Sequence, residues 1–200
     1  MRELQIKISL ANSHIPIWRR FLITDDYRLD RFHQVLQITM GWWNSHLHEF
    51  EISGRKFGMN IGVEYDWQLV EAETKFYLKH FPFEIGDSFN YVYDFGDNWQ
   101  HTLEIEAIKE VKKSNLKCLE GASRCPYEDA GGVGGYQFML EAMFDPKHPQ
   151  LRQFIGDSWI EDLPDPTLFN LKETNRELRK FSLWHSKHPR KKSTPWHQVT

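Results

Sequence analysis

Cysteine is scarce in this chain of 200 residues, which has only Cys118 and Cys125. Two thiols are too few for the disulfide framework of a small secreted protein, so a cytoplasmic location is expected. No apolar run approaches the roughly 18 residues that a membrane-spanning helix needs, and we expect no membrane association. The first residues, M-R-E-L-Q-I-K-I, alternate like a β-strand and do not form the continuous apolar core of a signal peptide.

The chain also lacks the common nucleotide-binding motifs, although four glycines lie within residues 131–135. No G-K-[ST] accompanies them and no G-x-G-x-x-G follows a strand, which excludes a Walker loop and a dinucleotide fingerprint. The segment does precede a predicted helix, so the amides of Gly131 and Gly132 could bind an anion there, beside Tyr136. The alternative is a tight turn that packs against a neighbouring element.

What the chain does contain is a long β-hairpin, Y-V-Y-D-F-G-D-N-W-Q-H-T-L-E-I-E, over residues 91–106. Period-two alternation marks each half as a half-buried strand. A three-residue loop at 96–98 keeps both apolar faces on one side of the sheet, which predicts that Phe95 pairs with Trp99 and Tyr93 with His101. The hairpin tip would then carry Asp94, Asp97 and His101.

Strand patterns fill the first two thirds of the chain and helical patterns the last third. The predicted strands lie at residues 4–10, 15–23, 46–52 and 74–83, in addition to the hairpin. The predicted helices lie at 29–40, 136–143, 151–155 and 169–181, and residues 112–123 read as a polar connection. This order predicts an α+β fold, with an antiparallel β-sheet covered by helices and a helical C-terminal third. One domain is expected over residues 1–181, followed by a flexible basic tail at 182–200.

Charge is unevenly distributed, because the net charge of −3 includes four basic residues and no acid within residues 181–200. A tail of this kind can attach to nucleic acid through phosphate contacts. It can equally be a solvated chain end. Trp99 belongs to a surplus of aromatic residues that either fills the core or stacks on a planar ligand.

Several side chains could form a site. His46, His48 and His101 fall on apolar strand faces, and imidazoles with carboxylates from Asp94, Asp97, Glu128 or Asp129 suit zinc or manganese. Each histidine could instead be a hydrogen-bonded core residue. Cys118 and Cys125 have six residues between them, unlike the short spacing of a structural zinc knuckle. Arg19 and Arg20 alternate on a strand, so one faces inward, either in an ion pair or toward a phosphate.

Five motifs in fixed order resemble those of the plasmid pRi ORF-three-like family, also labelled passenger TnpR-family proteins of insertion elements. They are P-I-W-R-R, M-G-W, H-L-H-E-F, Y-D-F-G-D-N-W-Q-H and C-P-Y-E-D-A-G-G-V-G-G-Y, within residues 4–180. The resemblance implies an α+β domain found on plasmids, on mobile elements and in chromosomes, with no transferable activity. The TnpR label suggests a resolvase, but no recombinase motif is present. Many members carry a cysteine where this chain has Ala130, which weakens a three-cysteine metal site here.

The family's motif residues, as the resemblance implies them, are Arg19, Arg20, His46, His48, Asp94, Gly96, Asp97, Trp99, His101, Cys118, Cys125, Pro126, Glu128, Asp129, Gly131, Gly132 and Tyr136. The leading interpretation is a non-enzymatic accessory module of a mobile element that recognises nucleic acid or a protein partner. The alternative is a metal-dependent hydrolase, a nuclease or phosphoesterase, in which the histidines bind the metal and a hairpin aspartate acts as ligand or base.

Overall fold

The computed structural model of the chain describes residues 1–59, 70–145, 147 and 165–187. Within them the α+β prediction is confirmed, with eight strands in one sheet and three α-helices. The strands are β1 Arg2–Leu10, β2 Trp18–Thr24, β3 His48–Ile52, β4 Arg55–Gly58, β5 Val70–Ala72, β6 Ser88–Tyr93, β7 Trp99–Glu110 and β8 Lys117–Ala122. The helices are α1 Leu29–Met40, α2 Gly132–Phe144 and α3 Leu171–Lys187, and two 3-10 turns lie at Glu73–Lys75 and Leu78–His80.

The strand order in the sheet is β5-β4-β3-β6-β7-β1-β2-β8. All neighbours run antiparallel except β4 and β5, which are parallel. The predicted β6–β7 hairpin therefore lies near the middle of the sheet. Its central position explains why its alternating aromatic residues are buried on one face.

Helix α1 is buried over its whole length, polar residues included. It ends where predicted, at Gly41, which adopts a left-handed conformation (φ 92°) and donates its N–H to Gln37 O. Helix α3 packs against α1 and β8. No described helix is long and apolar enough to cross a bilayer.

The register of the hairpin differs from the prediction by two residues. Tyr93 pairs with Trp99 and Tyr91 pairs with His101, so the loop has five residues. Asp94 leaves the strand at φ 57°, its Oδ1 accepts the Gly96 N–H at 2.9 Å, and its carbonyl accepts the Asn98 N–H. A shift of two residues preserves the face on which each side chain lies, so the inward residues were predicted correctly. Phe95 instead lies in the loop and is exposed.

Other segments also differ from the prediction. Residues 74–83 contain 3-10 turns instead of a strand, and the expected polar connection at 112–123 contains β8. Strand β8 was missed because its sequence does not alternate between apolar and polar residues. Cys118 is its one fully buried side chain. Helix α3 continues through residues 182–187. The helix expected at 151–155 and the tail from 188 onward lie outside the described residues, and the flexible tail stays a prediction.

Candidate metal centre at the hairpin tip

The tip of the β6–β7 hairpin contacts the glycine-rich loop, more than 30 residues further along the chain. Asp97 Oδ2 accepts the Gly131 N–H at 3.1 Å. Gly132 has φ 68°, and a Cβ added to it would lie 2.5 Å from Asp97 O. Glycine is required here because the two backbones approach so closely. The hairpin tip and the loop are therefore neighbours in space.

Three potential metal ligands meet at this junction: His46, Asp94 and Asp129. His46 Nε2 lies 3.6 Å from Asp94 Oδ2 and 3.3 Å from Asp129 Oδ1. Their ligand atoms all lie within 4.8 Å of one another, and no other such group occurs among the described residues. Although close to both carboxylates, Nε2 of His46 is itself buried and makes no hydrogen bond to the described residues.

Backbone contacts position Asp94 and the segment that contains His46. The Asp94 N–H bonds to Leu47 O at 2.8 Å, and Asp94 Oδ1 is used inside the hairpin loop, which leaves Oδ2 facing His46. The N–H groups of Ser45 and His46 donate to the Tyr93 hydroxyl at 2.9 and 3.3 Å. Asp129 is exposed and lies just before the glycine-rich loop.

Glu128 lies beside this group and is fixed by two donors. The Tyr93 hydroxyl donates to Glu128 Oε1 at 2.6 Å and the Trp43 N–H donates to the same oxygen at 2.8 Å. Desolvation raises the pKa of Tyr93 well above its usual value, and the Glu128 carboxylate raises it further. The phenol therefore keeps its proton and remains a donor at neutral pH.

One imidazole and two carboxylates are a donor set for zinc or manganese. A site with three protein ligands leaves coordination positions for water or a further ligand, unlike a closed structural zinc site. His46 was predicted on the inner face of a strand. It lies instead before β3 and is half-buried, so its imidazole can reach the tip.

Among the described residues, the three candidate histidines do not meet in one group of potential ligands, because His48 and His101 make their contacts elsewhere. His48 Nε2 lies 2.7 Å from Glu73 Oε2, and its ring stacks on His33. His101 Nδ1 lies 3.2 Å from Tyr91 O, with its ring edge-on to Trp42. Desolvation lowers the pKa of His101 to about 4, so it is a neutral core residue.

A family model described as "Plasmid pRiA4b ORF-3-like protein" matches residues 2–173 of the chain. The chain belongs to this family. This confirms the resemblance drawn from the five motifs. The motifs include the three potential metal ligands, His46, Asp94 and Asp129, together with the hairpin and the glycine-rich loop.

Two similar proteins extend the comparison. An uncharacterized protein, y4hQ, of Sinorhizobium fredii (strain NBRC 101917 / NGR234) is 35% identical over 158 residues, which cover 77% of this chain and 81% of the relative. The crystal structure of MM3350 from Methanosarcina mazei Go1, a protein of unknown function, is similar with a TM-score of 0.74 and 30% identity. That match covers 86% of this chain and 97% of the other.

The two cysteines of this ORF-3-like protein are separate, buried thiols. Asn175 hydrogen bonds to both the N–H and the carbonyl of Cys118. Desolvation raises the pKa of Cys118 to about 11 and that of Cys125 to about 12. A metal binds the thiolate, and neither candidate cysteine belongs to a group of three potential ligands among the described residues.

The predicted alternation of the two arginines is confirmed. Arg19 faces inward, is 1% exposed, and donates to the carbonyls of Thr39, Trp18 and Ala122 at 2.7–3.0 Å. Its guanidinium also lies 4.0 Å from the centre of the Phe169 ring. No described carboxylate pairs with it, so the expected buried ion pair is absent there. Arg20 points to the other face and pairs with Glu106 and Glu120.

Two of the predicted binding residues lie in the core. Trp99 is fully buried beside Trp42, and Tyr136 is buried with its hydroxyl directed at Arg124 O. Buried rings cannot present a face to a ligand, so neither residue forms a stacking surface. Trp43 and Phe95 are the exposed rings near the tip, and no sequence pattern selected Trp43. Trp43 follows the helix stop at Gly41 and belongs to no alternating pattern. That position was the one sequence feature that could have indicated an exposed ring.

A cavity of about 1050 Å³ opens beside Glu128 and Asp129. Among its lining residues, carboxylates outnumber guanidinium groups: Glu128, Asp129, Asp165, Glu173 and Glu177 against Arg19 and Arg124. An anionic ligand near this part of the tip would therefore be repelled unless a cation were bound with it.

Proposed function

We propose that this protein is a metal-binding accessory module that holds one divalent ion between His46, Asp94 and Asp129. The supporting observation is that Nε2 of His46 lies within 4 Å of both carboxylates yet makes no hydrogen bond to the described residues. One ring nitrogen each of His48, His101 and His185 is likewise buried without a partner, but among the described residues only His46 is grouped with two carboxylates. A metal ion between the three side chains would complete its coordination.

Electrostatics also favours an ion at this position. Asp94 and Asp129 direct oxygens at the same nitrogen, with Glu128 and Asp97 close by. Like charges brought together in a partly buried place repel, and a divalent cation would convert that repulsion into attraction. Because hydrogen bonds already position Asp94 and the His46 segment, ion binding would need to order mainly the exposed Asp129 side chain.

A partner would then meet the protein at the open side of the ion. Nucleic acid and a mobile-element protein are the partners that the sequence suggested. The surroundings of the tip are acidic, so a phosphate group would need the ion's charge to bind there. The ion's open coordination positions would receive the phosphate oxygens.

Metal-dependent phosphoester hydrolysis is a second candidate, because of the position of Glu128. Both of its hydrogen bonds end on Oε1, so Oε2 is the oxygen left to accept a proton from an attacking water. A bound ion would supply Lewis acidity and lower the pKa of that water. The water oxygen would bond to phosphorus while one of its protons goes to Glu128. The bond from phosphorus to the ester oxygen would break, and that oxygen would leave as the alcohol after taking a proton from the Glu128 carboxylic acid or from solvent.

Metal binding can be measured by titration calorimetry with Mn²⁺ and Zn²⁺ after dialysis against EDTA. We expect one site, and we expect Asp129→Asn to weaken Mn²⁺ binding at least tenfold. The fold should survive, because the Asp129 side chain is 79% exposed. Asp26→Asn is the matched control, since Asp26 is also exposed but follows β2 at the opposite end of the strands. Equal Mn²⁺ affinity in wild type and Asp129→Asn would contradict the proposal.

Hydrolysis is tested separately with bis-p-nitrophenyl phosphate and the Mn²⁺-loaded protein. Glu128→Gln should keep Mn²⁺ binding, since Glu128 is not one of the three ligands, while it removes the proton acceptor. A loss of turnover of about 100-fold is expected for a missing general base. If the protein binds Mn²⁺ but shows no turnover, the proposal of a metal-binding accessory module stands and that of a hydrolase is wrong.

A further inference from the structure

We infer that the metal centre binds the phosphate of an unpaired nucleotide in a single strand, while its base stacks on Trp43 and Phe95. This inference rests on the proposed metal site and adds the class of ligand. The evidence for this ligand class is the exposure of two aromatic residues near the site.

Large exposed aromatic rings are rare on the described surface of this protein, although aromatics make up 14% of the sequence. They are Trp43 at 67%, Phe95 at 54% and Phe144 at 59% exposure. Two of the three flank the metal ligands. Exposing an aromatic ring forgoes the stabilisation of burying it, so a pair beside a candidate site indicates a contact surface.

The backbone around the ligands places Trp43 and Phe95 close to them. The Trp43 N–H donates to Glu128, the residue before Asp129. Phe95 directly follows Asp94, whose N–H bonds to Leu47 O in the segment that contains His46. Leu47 is itself partly exposed, which extends the apolar rim. The residues that carry the two exposed rings therefore lie next to the three-ligand group, Phe95 in sequence and Trp43 through its contact with Glu128 and in the wall of the same cavity as Asp129.

This combination matches the two ends of a nucleotide. The ion would bind phosphate oxygens, and a ring would stack on the face of a base, which every base presents. The acidic residues Asp97 and Glu128 would repel a phosphate in the absence of metal, so binding should depend on the ion.

The exposure of the site favours a strand over a free nucleotide. The Asp129 side chain is 79% exposed and both rings are more than half exposed, so little of a mononucleotide would be buried. Small-molecule sites usually enclose most of their ligand. A strand adds further contacts along its length, and an unpaired base can reach an aromatic ring, whereas a base inside a duplex cannot.

The test is fluorescence anisotropy of a labelled ten-nucleotide single strand with the full chain, in saturating Mn²⁺ and in EDTA. We expect binding in Mn²⁺ and at least tenfold weaker binding in EDTA. Trp43→Ala and Phe95→Ala should each weaken strand binding about tenfold and leave the Mn²⁺ isotherm unchanged. Phe144→Ala is the matched control, because Phe144 ends α2, about 18 Å of helix beyond Gly132.

Separate outcomes would overturn separate claims. If Mn²⁺ does not bind to the wild type, the proposed function fails and this inference fails with it. If Mn²⁺ binds but the strand does not, this inference alone is wrong. Strand binding retained in EDTA would assign it to another surface, such as the basic C-terminal residues. A duplex or thymidine monophosphate that binds as tightly as the single strand would also overturn it.

Discussion

The imidazole rings of His33 and His48 lie stacked in the core, with 3.4 Å between their centroids and 3° between their planes. With Asn44 Oδ1 as acceptor at 2.5 Å, His33 Nε2 carries the hydrogen and Nδ1 accepts from the Tyr91 hydroxyl. Desolvation lowers the pKa of both rings to about 3. The pair is therefore uncharged at neutral pH, and the contact of His48 with Glu73 is a hydrogen bond without a charged imidazole.

The buried histidines should make the protein acid-sensitive. The unfolded chain protonates histidine near pH 6.5, whereas the pKa is about 3 for folded His33 and His48 and about 4 for folded His101. The unfolded state then binds more protons, so stability falls as the pH drops below 6.5. Desolvation raises the pKa of Glu73 to about 7, which has the opposite sign between pH 4.5 and 7. Because three histidines oppose one glutamate, the free energy of unfolding should fall by about 2–3 kcal/mol for each pH unit of acidification. Urea unfolding from pH 7 to 4.5 measures it, and stability that rises toward acid would contradict the prediction.

The variant His101→Gln measures the contribution of this one histidine to stability and to its pH dependence. At pH 7 it should lower the free energy of unfolding by about 1–3 kcal/mol, because it disturbs a buried hydrogen-bonded group. It should also reduce the pH dependence between 6.5 and 4 by about 1.4 kcal/mol per unit, since one fewer proton is taken up. The exposed His14→Gln serves as control. A change in Mn²⁺ binding in folded His101→Gln protein would show that His101 belongs to the site after all.

Gly132→Ala should separate the glycine-rich loop from the hairpin. The new Cβ would meet the Asp97 carbonyl oxygen at 2.5 Å and would require φ 68°. We expect a loss of about 2 kcal/mol or more in thermal or urea unfolding, together with weaker Mn²⁺ binding. Gly134→Ala is the control, because a Cβ added to Gly134 would meet no heavy atom within 4 Å and the residue lies inside α2. It should stabilise the protein by about 0.5–1 kcal/mol. Equal stability of the two variants would contradict the close approach.

Arg19→Met tests whether the buried guanidinium is structural. The methionine fills much of the same space but leaves the carbonyls of Thr39 and Ala122 without their donors. We expect a loss of about 3 kcal/mol in unfolding free energy. Arg20→Met, on the other face of the strand, should lose about 1 kcal/mol or less, because its ion pairs are partly solvated. If Arg19→Met is as stable as Arg20→Met, the three hydrogen bonds contribute little.

Tyr93→Phe removes a hydroxyl that connects both sides of the proposed metal centre. It donates to Glu128 and accepts from the N–H groups of Ser45 and His46. We expect Mn²⁺ binding to weaken about tenfold, as is typical when a residue that orients a ligand is lost. Tyr127→Phe should leave the Mn²⁺ isotherm unchanged, since its hydroxyl makes no hydrogen bond within the described part of the chain. An unchanged isotherm for Tyr93→Phe would show that the hydroxyl does not position His46.

Much of the fold could be read from local patterns. Alternation identified β1 and the inward face of the hairpin, and the helical stripe with Gly41 identified α1 to within a residue of its ends. Strand parity assigns a side chain to a face, and a helix stop depends on one glycine, so both are local properties. The pairing of Tyr93 with Trp99 was missed because a three-residue loop and a five-residue loop give the same parity.

The site itself depended on tertiary contacts. His46 and His48 share the same parity in sequence, yet one faces two aspartates at the surface and the other bonds to buried Glu73. Alternation gives the direction of a side chain but neither its depth nor its partner. Desolvation then sets the protonation state, because it lowers the pKa of the buried His48 and keeps its ring neutral. The sequence by itself determined strands β1, β2 and β3, the two hairpin strands, the first helix and the family. Only the packing of the glycine-rich loop onto the hairpin tip brought His46, Asp94 and Asp129 together.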